Sequence, residues 1–136
     1  MTASVAAAPT LVGDLMSRPV LTIDVSESLW DAWQLLFVSG LRHLVVLDDG
    51  VCLGVISDRG ILTDLPVTAD HMAQRKIDDV LPRVPVATIH TTDTAGEAAR
   101  VMLRVATDAL PVLDPDDKLV GIITGSDLAR LLADHP

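Results

Sequence analysis

One unit written twice is the feature that most limits how this chain can fold. Asp14-Leu15-Met16-Ser17-Arg18-Pro19 returns 65 residues later as Asp79-Val80-Leu81-Pro82-Arg83-Val84-Pro85, with one residue added, and Thr22-Ile23 then matches Thr88-Ile89. After each match comes an amphipathic helix. The first opens at Ser28-Leu29-Trp30-Asp31, with Leu29, Ala32, Trp33, Leu36 and Phe37 forming one apolar stripe that ends near Gly40. The second opens at Thr94-Ala95-Gly96-Glu97, where hydroxyl and carboxylate can satisfy backbone N–H groups reciprocally, and its stripe is Ala95, Ala98, Ala99, Met102 and Leu103.

Two short apolar runs follow each helix. Leu44-Val45-Val46-Leu47 and Leu53 to Ile56 flank the turn Asp48-Asp49-Gly50, while Leu110-Pro111-Val112-Leu113 and Leu119 to Ile123 flank Asp114-Pro115-Asp116-Asp117. Polar turn residues between two apolar runs predict a hairpin in both places. A last helix closes each copy, at about Asp58 to Asp64 and Ser126 to Ala133. Each copy thus reads strand, helix, strand, strand, helix. Three strands cannot bury both faces of their own sheet, so the two copies are expected to pack on each other. The divisions are a flexible start at 1–12, a first unit at 13–64, a connector at 65–77 and a second unit at 78–134. The polar run Asp70 to Lys76 within the connector predicts a short helical turn and no active site.

Composition supports an α/β fold: 49% of the residues are hydrophobic and only 2% aromatic, so the excess is aliphatic and suits parallel strands under helices. A net charge of −9 argues against a general nucleic-acid binder, since phosphate-backbone affinity needs surplus Lys and Arg. The single cysteine, Cys52, excludes an internal disulfide and reads as a small apolar residue beside a turn. No apolar run has the roughly 20 residues needed to span a bilayer, and Met1 to Pro9 lacks a basic start, so a soluble cytoplasmic protein is expected. His71, His90 and His135 have no metal-ligand spacing and read as surface residues.

Three pairs of motifs, recurring twice in the same order, identify the chain as resembling a tandem pair of cystathionine β-synthase (CBS) domains, often called a Bateman module. They are Asp14-Leu15-Met16 with Asp79-Val80-Leu81, Arg42-His43-Leu44-Val45-Val46 with Ala109-Leu110-Pro111-Val112, and Gly54 to Ser57 with Gly121 to Asp127. The resemblance covers nearly everything from Gly13 to Leu132. It implies an α/β fold of two pseudo-symmetric units, and an adenosine-containing ligand (AMP, ADP, ATP or S-adenosylmethionine) held in a cleft between them. It also implies a regulatory role without catalysis, dimerisation through the helices, and an effector protein on another chain, as expected of a stand-alone module.

By the same resemblance Thr124 and Asp127 have the spacing of the ribose-reading pair. Val86, Ala87, Thr88, Pro111 and Ile122 would wall the adenine, and Arg42 and His43 would meet phosphate. Each position has a plainer reading. Thr124 and Asp127 are also spaced as a capping box, Arg42 and His43 can be a solvated cation and a strand-end histidine, and the apolar set can be core. Arg59, Lys76 and Arg83 are weaker phosphate candidates. In the first copy Ser57 is kept but Gly60 stands where the acid belongs, so that second site is expected weak or empty. Asp58 and Arg59 are poor substitutes there. Trp30 lies off the stripe of its helix, which leaves a dimer contact and packing on the neighbouring unit both open.

Two functions remain in view, a nucleotide sensor and an interaction protein that has kept the fold without the ligand. No paired catalytic carboxylates, activated thiol or nucleophile-base set supports an enzyme.

Overall fold

The computed structural model describes residues 9–63, 68–81 and 86–134. Its elements in chain order are α1 (Val12–Leu15), β1 (Thr22–Asp24), α2 (Leu29–Ser39), β2 (His43–Asp48), β3 (Val51–Ser57), α3 (Asp58–Thr63), α4 (Ala69–Gln74), α5 (Ile77–Val80), β4 (Ile89–His90), α6 (Ala95–Val105), β5 (Ala109–Leu113), β6 (Leu119–Thr124) and α7 (Gly125–Asp134). They divide into two compact units. One runs from Val20 to Val86, and the other combines the residues up to Pro19 with those from Ala87 onward.

In the Val20–Val86 unit the sheet order is β1-β2-β3, with β1 parallel and β3 antiparallel to β2. The β2–β3 hairpin turns through Asp49 and Gly50, both at positive φ (51° and 82°), as a two-residue loop between right-twisted strands requires. Ser28 caps α2 by accepting the Asp31 N–H, and the Asp31 carboxylate accepts the Ser28 N–H in return. Gly40 ends the helix in the left-handed conformation. Leu29, Ala32 and Leu36 are buried against Ile23, Leu44, Val46 and Ile56 of the sheet. Burying side chains of this size contributes roughly 1.5–3 kcal/mol each. The connector adds to this core, because Met72 of α4 and Ile77 of α5 are buried in it.

The stripe expected on α2 differs at its last residue. Phe37 is 79% exposed, since it follows the buried Leu36 by one residue and so points about 100° away around the helix. Trp30, which lies off the stripe and for which a dimer contact and packing on the neighbouring unit were both open, is half-buried against the apolar cluster of its own unit. Its ring covers the same core from the flank of the helix.

The second unit repeats the plan with the sheet β4-β5-β6. Thr94 caps α6 through the reciprocal box with Glu97, and Ala98 and Met102 are buried with Ile89, Leu110, Val112 and Ile123. Leu103 is 83% exposed for the reason that exposes Phe37: it comes one residue after the buried Met102. Asp114 folds the β5–β6 loop by accepting the N–H groups of Asp116 and Lys118 on its carboxylate.

Each repeat's lead-in segment is built into the unit of the other repeat. Ile77 and Asp78 donate backbone N–H groups to Glu27 and Val25, while Val12 and Gly13 donate to Asp93 and Thr91. The same exchange shows on the strands, where Leu81 lies against Gly54 of β3 and Met16 against Gly121 of β6.

Candidate functional site

β6 runs into α7 without a loop, and that junction carries the candidate site. Asp127 stands at the third position of the helix, so its carboxylate folds back on the helix start. Its Oδ2 accepts the Thr124 N–H at 2.8 Å and the Thr124 hydroxyl at 3.1 Å, while Thr124 Oγ1 accepts the Asp127 N–H at 3.3 Å. This is the capping box that the spacing allows. The other oxygen, Oδ1, accepts the Ser17 hydroxyl at 3.2 Å and Nη2 of Arg130. The carboxylate is only 1% exposed. Burial of an ion is costly unless it is paired and hydrogen-bonded, and here a guanidinium, two hydroxyls, a backbone N–H and the positive end of α7 meet that need.

Ser17 is delivered by the lead-in segment. Its backbone exchanges two hydrogen bonds with Ile122 of β6, at 2.8 and 3.2 Å. Close approach requires Gly121, where an added Cβ would stand 2.6 Å from the Met16 sulfur and 3.1 Å from the Ser17 carbonyl oxygen. Of the expected adenine wall, Pro111 and Ile122 face each other across β5 and β6, and Ala87 and Thr88 lie partly buried just before β4. Val86 belongs to the other unit.

The matching junction of the other unit, β3 into α3, keeps the hydroxyl and lacks the acid. Ser57 Oγ accepts the Gly60 N–H at 3.0 Å, so the cap survives. Asp58 turns away, accepting the Arg59 N–H and pairing with Arg42 at 3.6 Å. Both junctions also share one backbone bond: Asp58 N–H donates to the Arg42 carbonyl as Gly125 N–H donates to the Asp108 carbonyl. Arg42 and His43 therefore sit at the end of β2 beside a junction whose third helix position is Gly60 rather than an acid, and Arg42 is engaged by Asp58. Lys76 is exposed beside α5, Arg59 is exposed on α3, and Arg83 lies outside the described residues.

Elsewhere, burial pushes the Cys52 thiol up, in keeping with its half-buried place in β3. His90 is half-exposed and joined to Asp117 at 2.8 Å, His71 is half-buried on α4, and His135 lies outside the described residues. Among the described residues no cluster of three or more His, Cys, Asp or Glu can hold a metal ion, and no helix is long and apolar enough to cross a membrane.

The family model for the CBS domain matches the chain twice, at residues 12–67 and 77–134. The chain is a CBS domain pair. Its relatives include a CBS domain-containing protein of Dictyostelium discoideum, 34% identical over 132 residues and matched over 90% of both chains. They also include the L-aspartate semialdehyde sulfurtransferase of Methanocaldococcus jannaschii, 30% identical over 125 residues, of which the pair covers only 23%. Among solved structures, the CBS domain pair of protein MJ0100 in complex with 5′-methylthioadenosine and S-adenosyl-L-methionine matches with a TM-score of 0.78 and 29% identity, over 95% of this chain and all of that one. CBS pairs occur in proteins with adenosine-containing ligands, and where a relative bears an enzyme's name the pair is a minor part of its length.

Two members of the arrangement escaped the sequence reading. Arg130 had a local signal, since Asp and Arg three apart on a helix are neighbours. Ser17 had none, because it is 110 positions from Asp127.

Proposed function

We propose that this chain is a non-enzymatic regulatory module that binds an adenosine-containing small molecule, AMP, ADP, ATP or S-adenosylmethionine, through Thr124 and Asp127 and relays its occupancy to a separate effector protein. The observation that carries this reading is the buried Asp127 carboxylate at the start of α7, built into one unit and replaced by Gly60 in the other. Ribose presents two adjacent hydroxyls, and a fixed carboxylate accepts both. The helix start favours the anionic groups that accompany many such ligands. The ligands named for the CBS pair of protein MJ0100 are both adenosine compounds, which supports the same ligand class here.

On this reading Pro111, Ile122, Ala87, Thr88 and Val86 contribute the adenine wall, Arg42 and His43 meet phosphate, and the Ser57 and Gly60 position binds weakly or not at all. We further propose a cytoplasmic homodimer formed through the helices, supported by the exposed Phe37 and Val38 on α2 and Leu103 on α6. A second reading, an interaction protein without ligand, is favoured by one observation: the Asp127 carboxylate already has a full set of donors from the protein itself.

Calorimetry and thermal shift with AMP, ADP, ATP and S-adenosylmethionine on the wild type and on Asp127→Ala decide between them. Ligand that binds the native state must raise Tm by mass action. The sensor predicts binding by the wild type, weakened at least about tenfold in the variant by loss of charge-assisted bonds. No response of the wild type to any of these compounds leaves the interaction protein.

A further inference from the structure

The donors around Asp127 carry an inference about how the site is controlled, one that rests on the ligand reading above. A carboxylate offers about four acceptor positions. All of them are taken: Thr124 N–H and Oγ–H on Oδ2, Ser17 Oγ–H and the Arg130 guanidinium on Oδ1. A diol that donates to Asp127 must therefore replace something.

The four donors are not equally fixed. Thr124 belongs to the helix cap, and Arg130, although its side chain is largely exposed, is tethered three residues along the same helix. Ser17 comes from a different part of the chain, is solvent-exposed, and shares its hydroxyl between Oδ1 at 3.2 Å and Oδ2 at 3.5 Å. It is an alcohol bonded to a carboxylate, the same chemistry as a ribose hydroxyl. The other repeat supplies a second, independent observation. Where Ser17 stands in the first lead-in segment Pro82 stands in the second, and where Asp127 stands in the second repeat Gly60 stands in the first. The hydroxyl and its acceptor occur together in one unit and are both missing from the other.

We propose that Ser17 is the gate of the Asp127 site: its hydroxyl occupies the acceptor position that one hydroxyl of a vicinal-diol ligand takes, and ligand and lead-in segment compete for the carboxylate. The competition links occupancy to residues 11–17, because the Ser17 backbone is bridged to Ile122 only two residues before Thr124. Coupling of this kind is reciprocal, so whatever loosens the segment must also favour the ligand.

The test is titration of wild type, Ser17→Ala, Ser17→Thr and Asp127→Ala with AMP, ATP and S-adenosylmethionine, together with amide hydrogen exchange of the wild type with and without the compound that binds. Ser17→Ala keeps both backbone bonds to Ile122. It is expected to bind about three- to tenfold more tightly than wild type, the range for removing one competing hydrogen bond. Ser17→Thr, which restores the hydroxyl, is expected to bind as wild type does, and the Ser17 and Ile122 amides to exchange faster in the bound protein. If Asp127→Ala loses binding while Ser17→Ala binds equally or less well, the gate is overturned and the ligand reading stands. Unchanged or slower exchange at Ser17 and Ile122 on binding overturns it equally. No binding by wild type, or binding retained in Asp127→Ala, overturns the ligand reading and the gate together.

Discussion

Met16 lies so close over Gly121 that a single added methyl would meet its sulfur at 2.6 Å and the Ser17 carbonyl oxygen at 3.1 Å. A methionine can swing aside, whereas shifting a backbone carbonyl held in a two-bond bridge strains both bonds. Gly121→Ala is therefore expected to destabilise the protein by about 1–3 kcal/mol, the range for overpacking a filled site. The related Gly54 meets only the end of the Leu81 side chain, at 3.3 Å, and Gly54→Ala is expected to cost less. Urea unfolding of both variants measures the difference, and equal losses would mean that the Ser17 backbone yields as easily as a leucine methyl.

Ser57 caps α3 without help from an acid at Gly60. Gly60→Asp would restore the box seen at Ser28 with Asp31, Thr94 with Glu97 and Thr124 with Asp127. The new Cβ would come within 3.3 Å of the Ser57 hydroxyl, which can rotate to accommodate it. Relief of glycine's backbone entropy and the added cap bond predict a gain of about 0.5–1.5 kcal/mol. A Tm below that of wild type would show that the hydroxyl has no room to move.

Glu27 and Asp31 face each other at the start of α2. The hydrogen bond to the Asp31 side chain and then the Asp31 charge hold the Glu27 pKa above its ordinary value, while bonds from Ser28 first, and Glu27 next, hold that of Asp31 below. The raised group favours folding below its unfolded range, and that contribution is lost as pH rises through its folded value. For Asp31 the sign is reversed: its contribution is present above the unfolded range and lost as pH falls through the folded value. Glu27→Gln donates to Asp31 without needing a proton, so it is expected to raise Tm slightly at pH 7. The gap to wild type should close below the ordinary carboxylate range. A gap that is constant with pH would contradict the pairing.

Phe37 and Leu103 hold matching places on α2 and α6, each one residue past the last deeply buried side chain. Exchange of an exposed residue rarely alters the stability of a monomer by more than about 0.5 kcal/mol. If the helices form a dimer, Phe37→Glu with Leu103→Glu is expected to yield a monomer in sedimentation analysis while each unit keeps its circular dichroism spectrum. A wild type that sediments as a monomer would remove the dimer from the proposal.

The repeat made most of the fold legible, because strand, helix and hairpin signals that occur twice in one order leave few arrangements. Helix starts were readable from Ser28, Thr94 and Thr124, since a cap is a local interaction over three residues. The exposure of Phe37 and Leu103 was not. An apolar stripe says which face is buried but not how far along the helix the sheet extends, and a Phe beside a Leu satisfies the same periodicity. The candidate site was half legible: Thr124 and Asp127 are neighbours on the helix start, whereas Ser17 reaches them through a bridge that no local pattern encodes.

The exchanged lead-in segments also set an order for the birth of the molecule on the ribosome. Everything the Val20–Val86 unit needs, Ile77 and Leu81 included, is contiguous, so its core can close while the chain is still being translated. Leu11, Val12 and Met16 are made before that unit, yet Thr94, Ile89 and Gly121, against which they settle, are made after it. The lead-in segment therefore waits while the intervening unit is made, and the carboxylate at Asp127 gains the Ser17 hydroxyl only when stretches from either side of that unit meet.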